Sequence, residues 1–143
     1  MSNASMPSES TNFSNQPVVY IVDHHKSALL ALSALLAPLN VSIKCFTSAE
    51  LFLNHEISSE AVCLILEAHL NEKRESGIEL LEGLVQQGLH IPTIVLASSS
   101  DIPTAVRAMR ASAIDFIEKP YIEHLLVQKV AEIVHQSTLT KMN

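Results

Sequence analysis

The chain has 143 residues, enough for one domain and short for two. Apolar residues make up 48% and aromatic residues only 4%, with no Trp, so a single sizeable core is expected and it has to be aliphatic. The formal charge of −6 argues against direct nucleic-acid binding by this segment, and no apolar run approaches the roughly 20 residues of a membrane-spanning helix.

Residues 1–16, "MSNASMPSESTNFSNQ", are rich in Ser and Asn and have little to bury, so they are expected to form a disordered lead. Their "SNA" resembles a tag remnant, Met6 is a candidate start, and no secretory signal is visible. From Pro17 the chain alternates. "VVYIV" (18–22) predicts a strand and "KSALLALSALLA" (26–37) a helix that Pro38 helps to end. "VSIKCF" (41–46) alternates as a strand, and Ser48 caps a predicted short helix over 48–55. "AVCLIL" (61–66) is a continuous apolar strand, followed by a helix over 77–88 with Ile78, Leu81 and Val85 on one face. "PTIVLA" (92–97) predicts a fourth strand, and 101–112 a helix with Asp101 as N-cap and Pro103 in its first turn. "AIDFI" (113–117) and 121–136 complete the series as strand and helix. The two cysteines, Cys45 and Cys63, fall in apolar runs and are expected to be reduced core residues of a cytosolic protein.

Five strand–helix units imply a parallel sheet covered on both faces. The expected fold is α/β: a flavodoxin-like (βα)5 doubly wound sheet of strand order 2-1-3-4-5 over residues 17–136, with 137–143 as a tail or linker. In that order the tips of the first and third strands face each other across a crevice. Asp23-His24-His25 and Glu67-Ala68-His69 would meet there, joined by Ala97-Ser98 from the fourth strand and Glu118-Lys119-Pro120 from the fifth.

Over about residues 17–136 the chain resembles a response-regulator receiver domain of the type fused to LuxR/FixJ-like transcription regulators, most strongly in "DIPTAVRAMRASAIDFIEKPY" (101–121). The resemblance implies a phospho-accepting Asp at the tip of the third strand, two acidic residues for Mg²⁺ after the first, a Thr or Ser ending the fourth, and Lys-Pro ending the fifth. Asp23, Lys119 and Pro120 match, and Phe116 falls on the switch aromatic. Glu67 falls on the acceptor, His24 on the second acid and Ala97 on the hydroxyl position, with Ser98 next to it; the loop from Ala68 to Gly77 is two residues longer than usual.

Phosphoryl transfer rests on positioning and charge neutralisation, and a displacement on the order of 1 Å can cost about 10²-fold. A Glu acceptor adds a methylene, and imidazole replaces an oxygen ligand at a hard-cation site. The expectation is a receiver that is not phosphorylated, needs no cofactor, binds Mg²⁺ weakly through Asp23 or not at all, and pairs Glu67 with Lys119. It is not an enzyme. It acts by protein–protein contact in a two-component setting linked to transcription, with a histidine kinase and an output or DNA-binding domain outside this chain as partners.

Two other readings stay open. One is an active phosphoacceptor. The other is a metal-responsive domain using His24, His25 and His69 with Asp23 and Glu67, although the adjacent His24 and His25 are expected to point apart.

The first helix carries a second apolar stripe, Leu30, Ala34 and Ala37, and the last helix is also broadly apolar. A homodimer through these helices is expected, unless the two simply cover each other. Arg107, Arg110 and Asp115 mark a second candidate interface on the fourth helix and fifth strand.

Overall fold

The computed structural model describes residues 16–71, 76–98 and 102–142. Residues 1–15 of the expected lead, residues 72–75 of the long loop after Glu67 and the Asp101 cap lie outside the described residues. The elements in chain order are β1 (Val18–Val22), α1 (Lys26–Leu36), β2 (Ser42–Phe46), α2 (Ala49–Leu53), β3 (Ala61–Glu67), α3 (Ser76–Gln86), β4 (Thr93–Ala97), α4 (Ile102–Arg110), β5 (Asp115–Glu118) and α5 (Glu123–Met142). All strand pairs are parallel and their order is β2-β1-β3-β4-β5.

Alternation along the central strands sorts the core into two layers. Tyr20, Val22, Leu64, Leu66 and Val95 face α2, α3 and α4 through Phe52, Ile78, Leu81, Leu84 and Ala108. Val19, Ile21, Cys63, Ile65, Ile94 and Leu96 face α1 and α5 through Leu29, Leu32, Leu36, Leu126, Val130 and Ile133. β1 and β4 are buried at every position, which is why they appear in the sequence as unbroken apolar runs.

Several boundaries differ from the sequence expectation. α1 stops at Leu36; Ala37–Leu39 forms a 3₁₀ turn around Pro38, and Asn40 ends it in the left-handed region at φ 59°. α5 runs on to Met142, because "STLTKM" lacks an apolar face but contains no Gly or Pro to break the helix. Cys63 is buried as expected, whereas Cys45 is exposed. β2 is an edge strand, and Cys45 on it has its Sγ 3.2 Å from Ser33 Oγ of α1.

Candidate functional site

The register sets the rim. β1 and β3 are paired so that Val22 lies opposite Leu66, which brings the next residues, Asp23 and Glu67, side by side at the sheet's C-terminal edge. Lys119 follows β5 and is anchored by its N–H donating to the Ala97 carbonyl at 2.8 Å, just before a cis Lys119–Pro120 bond. Its ammonium reaches back across β4 to both carboxylates: Nζ is 2.8 Å from Glu67 Oε1 and 3.0 Å from Asp23 Oδ2.

The other two carboxylate oxygens accept backbone N–H groups. His25 N–H donates to Asp23 Oδ1 at 2.9 Å, and His69 N–H donates to Glu67 Oε2 at 3.0 Å. Both carboxylates are almost fully buried, Asp23 at 2% exposure and Glu67 at 3%. Burying two carboxylates is costly unless each is paired and hydrogen-bonded, and here every oxygen has a donor. Burial pulls the Lys119 pKa down, but hydrogen bonds and charge from Glu67 and Asp23 more than reverse this, so it stands above the ordinary 10.5. The rim thus gathers two carboxylates around one ammonium.

Gly77, in the first turn of α3, makes the close approach possible. Its N–H donates to Ala68 O at 2.8 Å, and a Cβ at this position would overlap the Glu67 carbonyl oxygen. Ser76 Oγ closes the same loop through both the N–H and the carbonyl of Leu70.

The remaining predicted residues divide between the rim and its surroundings. Ala97 is fully buried in the α2–α4 core layer, while Ser98 is exposed. Phe116 is half-buried against that same layer. Arg107 makes a bidentate pair with Glu82 of α3, at 2.9 Å through Nε and 2.7 Å through Nη2, so its charge is already met inside the chain. Asp115 accepts the Phe116 N–H and lies 3.8 Å from Lys129; Arg110 is exposed. Leu30 is 73% exposed and Ala34 is exposed too, so α5 leaves the outer stripe of α1 uncovered although both helices lie on one side of the sheet.

The histidines depart from expectation. His24 and His25 do not diverge: their ring centroids are 3.9 Å apart, tilted by 40°. The cause is the turn into α1, where the Asp23 side chain holds the His25 N–H and His25 keeps an extended backbone (φ −97°, ψ 117°) as N-cap. His69 and Glu67 fall outside the compact ligand group that Asp23, His24 and His25 form. A cavity of about 540 Å³ beneath the C-terminal half of α5, beside Pro92 and Ile114, is remote from this chemistry.

The donor set also bears on Mg²⁺, the ion that the resemblance implies. Mg²⁺ requires near-octahedral oxygen coordination. The residue after Asp23 is a histidine, which offers nitrogen rather than oxygen, and Lys119 already holds one oxygen of each carboxylate. These residues do not fit Mg²⁺ well.

The model of the response regulator receiver domain family matches residues 19–131. The chain belongs to this family. It is 40% identical to the response regulator protein TodT of Pseudomonas putida over 110 residues, 77% of this chain and 48% of TodT. It is 33% identical over 112 residues to the transcriptional regulatory protein FixJ of Rhizobium meliloti, 78% of this chain and 54% of FixJ. The crystal structure of a response regulator receiver protein from Pseudoalteromonas atlantica is 63% identical, with a TM-score of 0.83, covering 85% of this chain and 99% of that one. The chain spans about half the length of the curated relatives it matches. Receiver domains of response regulators are signalling domains of two-component systems, and among these relatives are transcriptional regulators. Among the described residues no helix is long and apolar enough to cross a membrane.

Proposed function

We propose that this receiver signals without being phosphorylated on Glu67, works through protein–protein contacts in the cytoplasm, and serves a regulator whose histidine kinase and output or DNA-binding domain lie outside this chain. The observation that carries the reading is the position of the Glu67 carboxylate. The extra methylene delivers it directly onto Lys119 at 2.8 Å, buried to 3% exposure. In a phosphorylated receiver the lysine would bind a phosphoryl oxygen. Here the glutamate itself occupies the lysine, with its second oxygen held by His69 N–H. Ala97 offers no hydroxyl for a product, and Ser98 faces solvent.

Incubation with acetyl phosphate and excess Mg²⁺, followed by intact mass, tests this. The expected spectrum is unchanged, while the His24→Asp/Glu67→Asp double variant gains one phosphoryl group. A phosphoryl adduct on the unsubstituted chain that is lost in Glu67→Gln would establish the active-acceptor alternative instead.

The same reading includes self-association. Leu30 is the one large apolar side chain of α1 with high exposure, whereas Ile102, Val106 and Met109 of α4, Ile114 before β5, Ile122 just before α5 and Leu125 in its first turn are all at least 41% exposed. This apolar surface flanks the open edge of β5 and supports a homodimer through the α4–β5–α5 face rather than through α1. Sedimentation at tens of micromolar should give a dimer that Met109→Glu dissociates and Leu30→Glu leaves intact.

A further inference from the structure

We propose that Asp23, His24 and His25 form a binding site for a divalent transition-metal ion of the Zn²⁺, Cu²⁺ or Ni²⁺ class. Each of the three side chains offers one ligand atom, and the three atoms lie within 4.8 Å of one another. Asp23 Oδ1 is 3.9 Å from His24 Nδ1 and 3.6 Å from His25 Nδ1. Both separations are too long for hydrogen bonds. Around a tetrahedral ion with bonds of about 2.0–2.1 Å, neighbouring donors sit about 3.4 Å apart, so these two separations need to close by only a few tenths of an ångström.

A second observation points the same way. His24 Nδ1 is shielded from solvent and has no hydrogen-bond partner. A buried polar atom without a partner calls for an explanation, and an ion is one that the neighbouring donors can supply. The two imidazoles are held close by the α1 entry turn, so little ordering is needed on binding.

The electrostatics allow it. Lys119 takes Asp23 Oδ2, whereas Oδ1 is the oxygen set against the two imidazoles; it accepts one N–H and keeps a lone pair. Two carboxylates and one ammonium meet at this rim, so acidic groups outnumber basic ones where the ion would land. Two imidazoles and one carboxylate select borderline transition metals over Mg²⁺ or Ca²⁺, and three protein ligands leave a coordination position open to water or to a ligand carboxylate. The site does not depend on Glu67 being unreactive.

Isothermal titration of the tag-free chain with ZnCl₂, with Cu²⁺ electron paramagnetic resonance as a second readout, tests the proposal. One Zn²⁺ per chain is expected, undisturbed by millimolar Mg²⁺. His24→Ala and His25→Ala should each weaken it at least about tenfold, since losing even an outer partner of a ligand costs about 10–100-fold. His90→Ala, before β4 at the other end of the sheet, should change nothing. The Cu²⁺ spectrum should show two coupled nitrogens, and one in each single variant. Zn²⁺ binding that survives both substitutions in variants that circular dichroism shows to be folded, or the absence of stoichiometric binding to the unsubstituted chain, would overturn the site.

Discussion

Replacing Lys119 by Met is the sharpest perturbation of the rim. It removes the only cation, among the described residues, hydrogen-bonded to both Asp23 and Glu67, at 3.0 and 2.8 Å, and leaves two carboxylates of 2% and 3% exposure side by side. Breaking a buried ion pair from one side costs about 3–5 kcal/mol. The lysine side chain keeps 21% exposure, which screens part of its charge, so the lower end applies, about 3 kcal/mol. For a domain of this size that is a fall in Tm of about 12 °C. Far-UV circular dichroism in a urea series is the appropriate assay, because the chain has no Trp. Adding Glu67→Gln to Lys119→Met should restore at least half of the loss, since one buried charge then disappears. The pH profile supplies the sign. The pKa of Lys119 is raised above 10.5 in the folded chain, so its contribution is full below 10.5 and is lost as pH rises through the folded value. The gap between the unsubstituted chain and Lys119→Met should therefore stay constant from neutrality to about pH 10 and narrow above it. A loss below about 1 kcal/mol, the value of an exposed pair, or strict additivity of the two substitutions, would refute the buried-bridge account.

Other sites give independent checks. Gly77→Ala should destabilise by about 1–3 kcal/mol because its Cβ meets the Glu67 carbonyl; Gly83→Ala, with open space at its Cβ, should instead gain about 0.5–1 kcal/mol by helix propensity, both read from urea midpoints. Burial pushes the Cys63 thiol up to about 12, so a thiol reagent at pH 8 should modify only exposed Cys45, and two thiols per chain after denaturation. Tyr20→Phe should cost about 1–3 kcal/mol in the same assay, since the buried Tyr20 hydroxyl accepts Ser58 N–H at 2.8 Å and is hydrogen-bonded to His55 Nε2 at 2.9 Å.

The fold was legible because its signal is redundant. Central strands such as "VVYIV" are buried on both faces, so every position is apolar, and a parallel sheet needs the intervening helices to cover it. The approach of Asp23, Glu67 and Lys119 followed from strand order alone, since the rim of an open sheet gathers the strand tips. What the sequence concealed depends on local backbone geometry or on sheet edges. The pairing of His24 with His25 arises from a turn held by the Asp23 carboxylate, and adjacency in sequence suggests the opposite. Cys45 lies in an alternating run like a core residue; the expected strand order already makes β2 an edge, but the alternation alone does not show that this position stays exposed. The Arg107–Glu82 clamp joins α4 to α3 across 25 residues, a pairing that helix periodicity does not encode. α5 outlasts its apolar pattern because helix continuation needs only the absence of a breaker.

Beryllofluoride with Mg²⁺ probes the central claim most directly, because it mimics a phosphoryl group on a receiver carboxylate without needing a donor. Titrated into ¹⁵N-labelled protein, it is expected to leave the amide signals of Glu67, His69, Ala97 and Lys119 unmoved, and to shift them in the His24→Asp/Glu67→Asp variant. Saturable shifts of those amides in the unsubstituted chain would contradict the account, because the Glu67 carboxylate would then be able to leave Lys119 and accept a phosphoryl-like group.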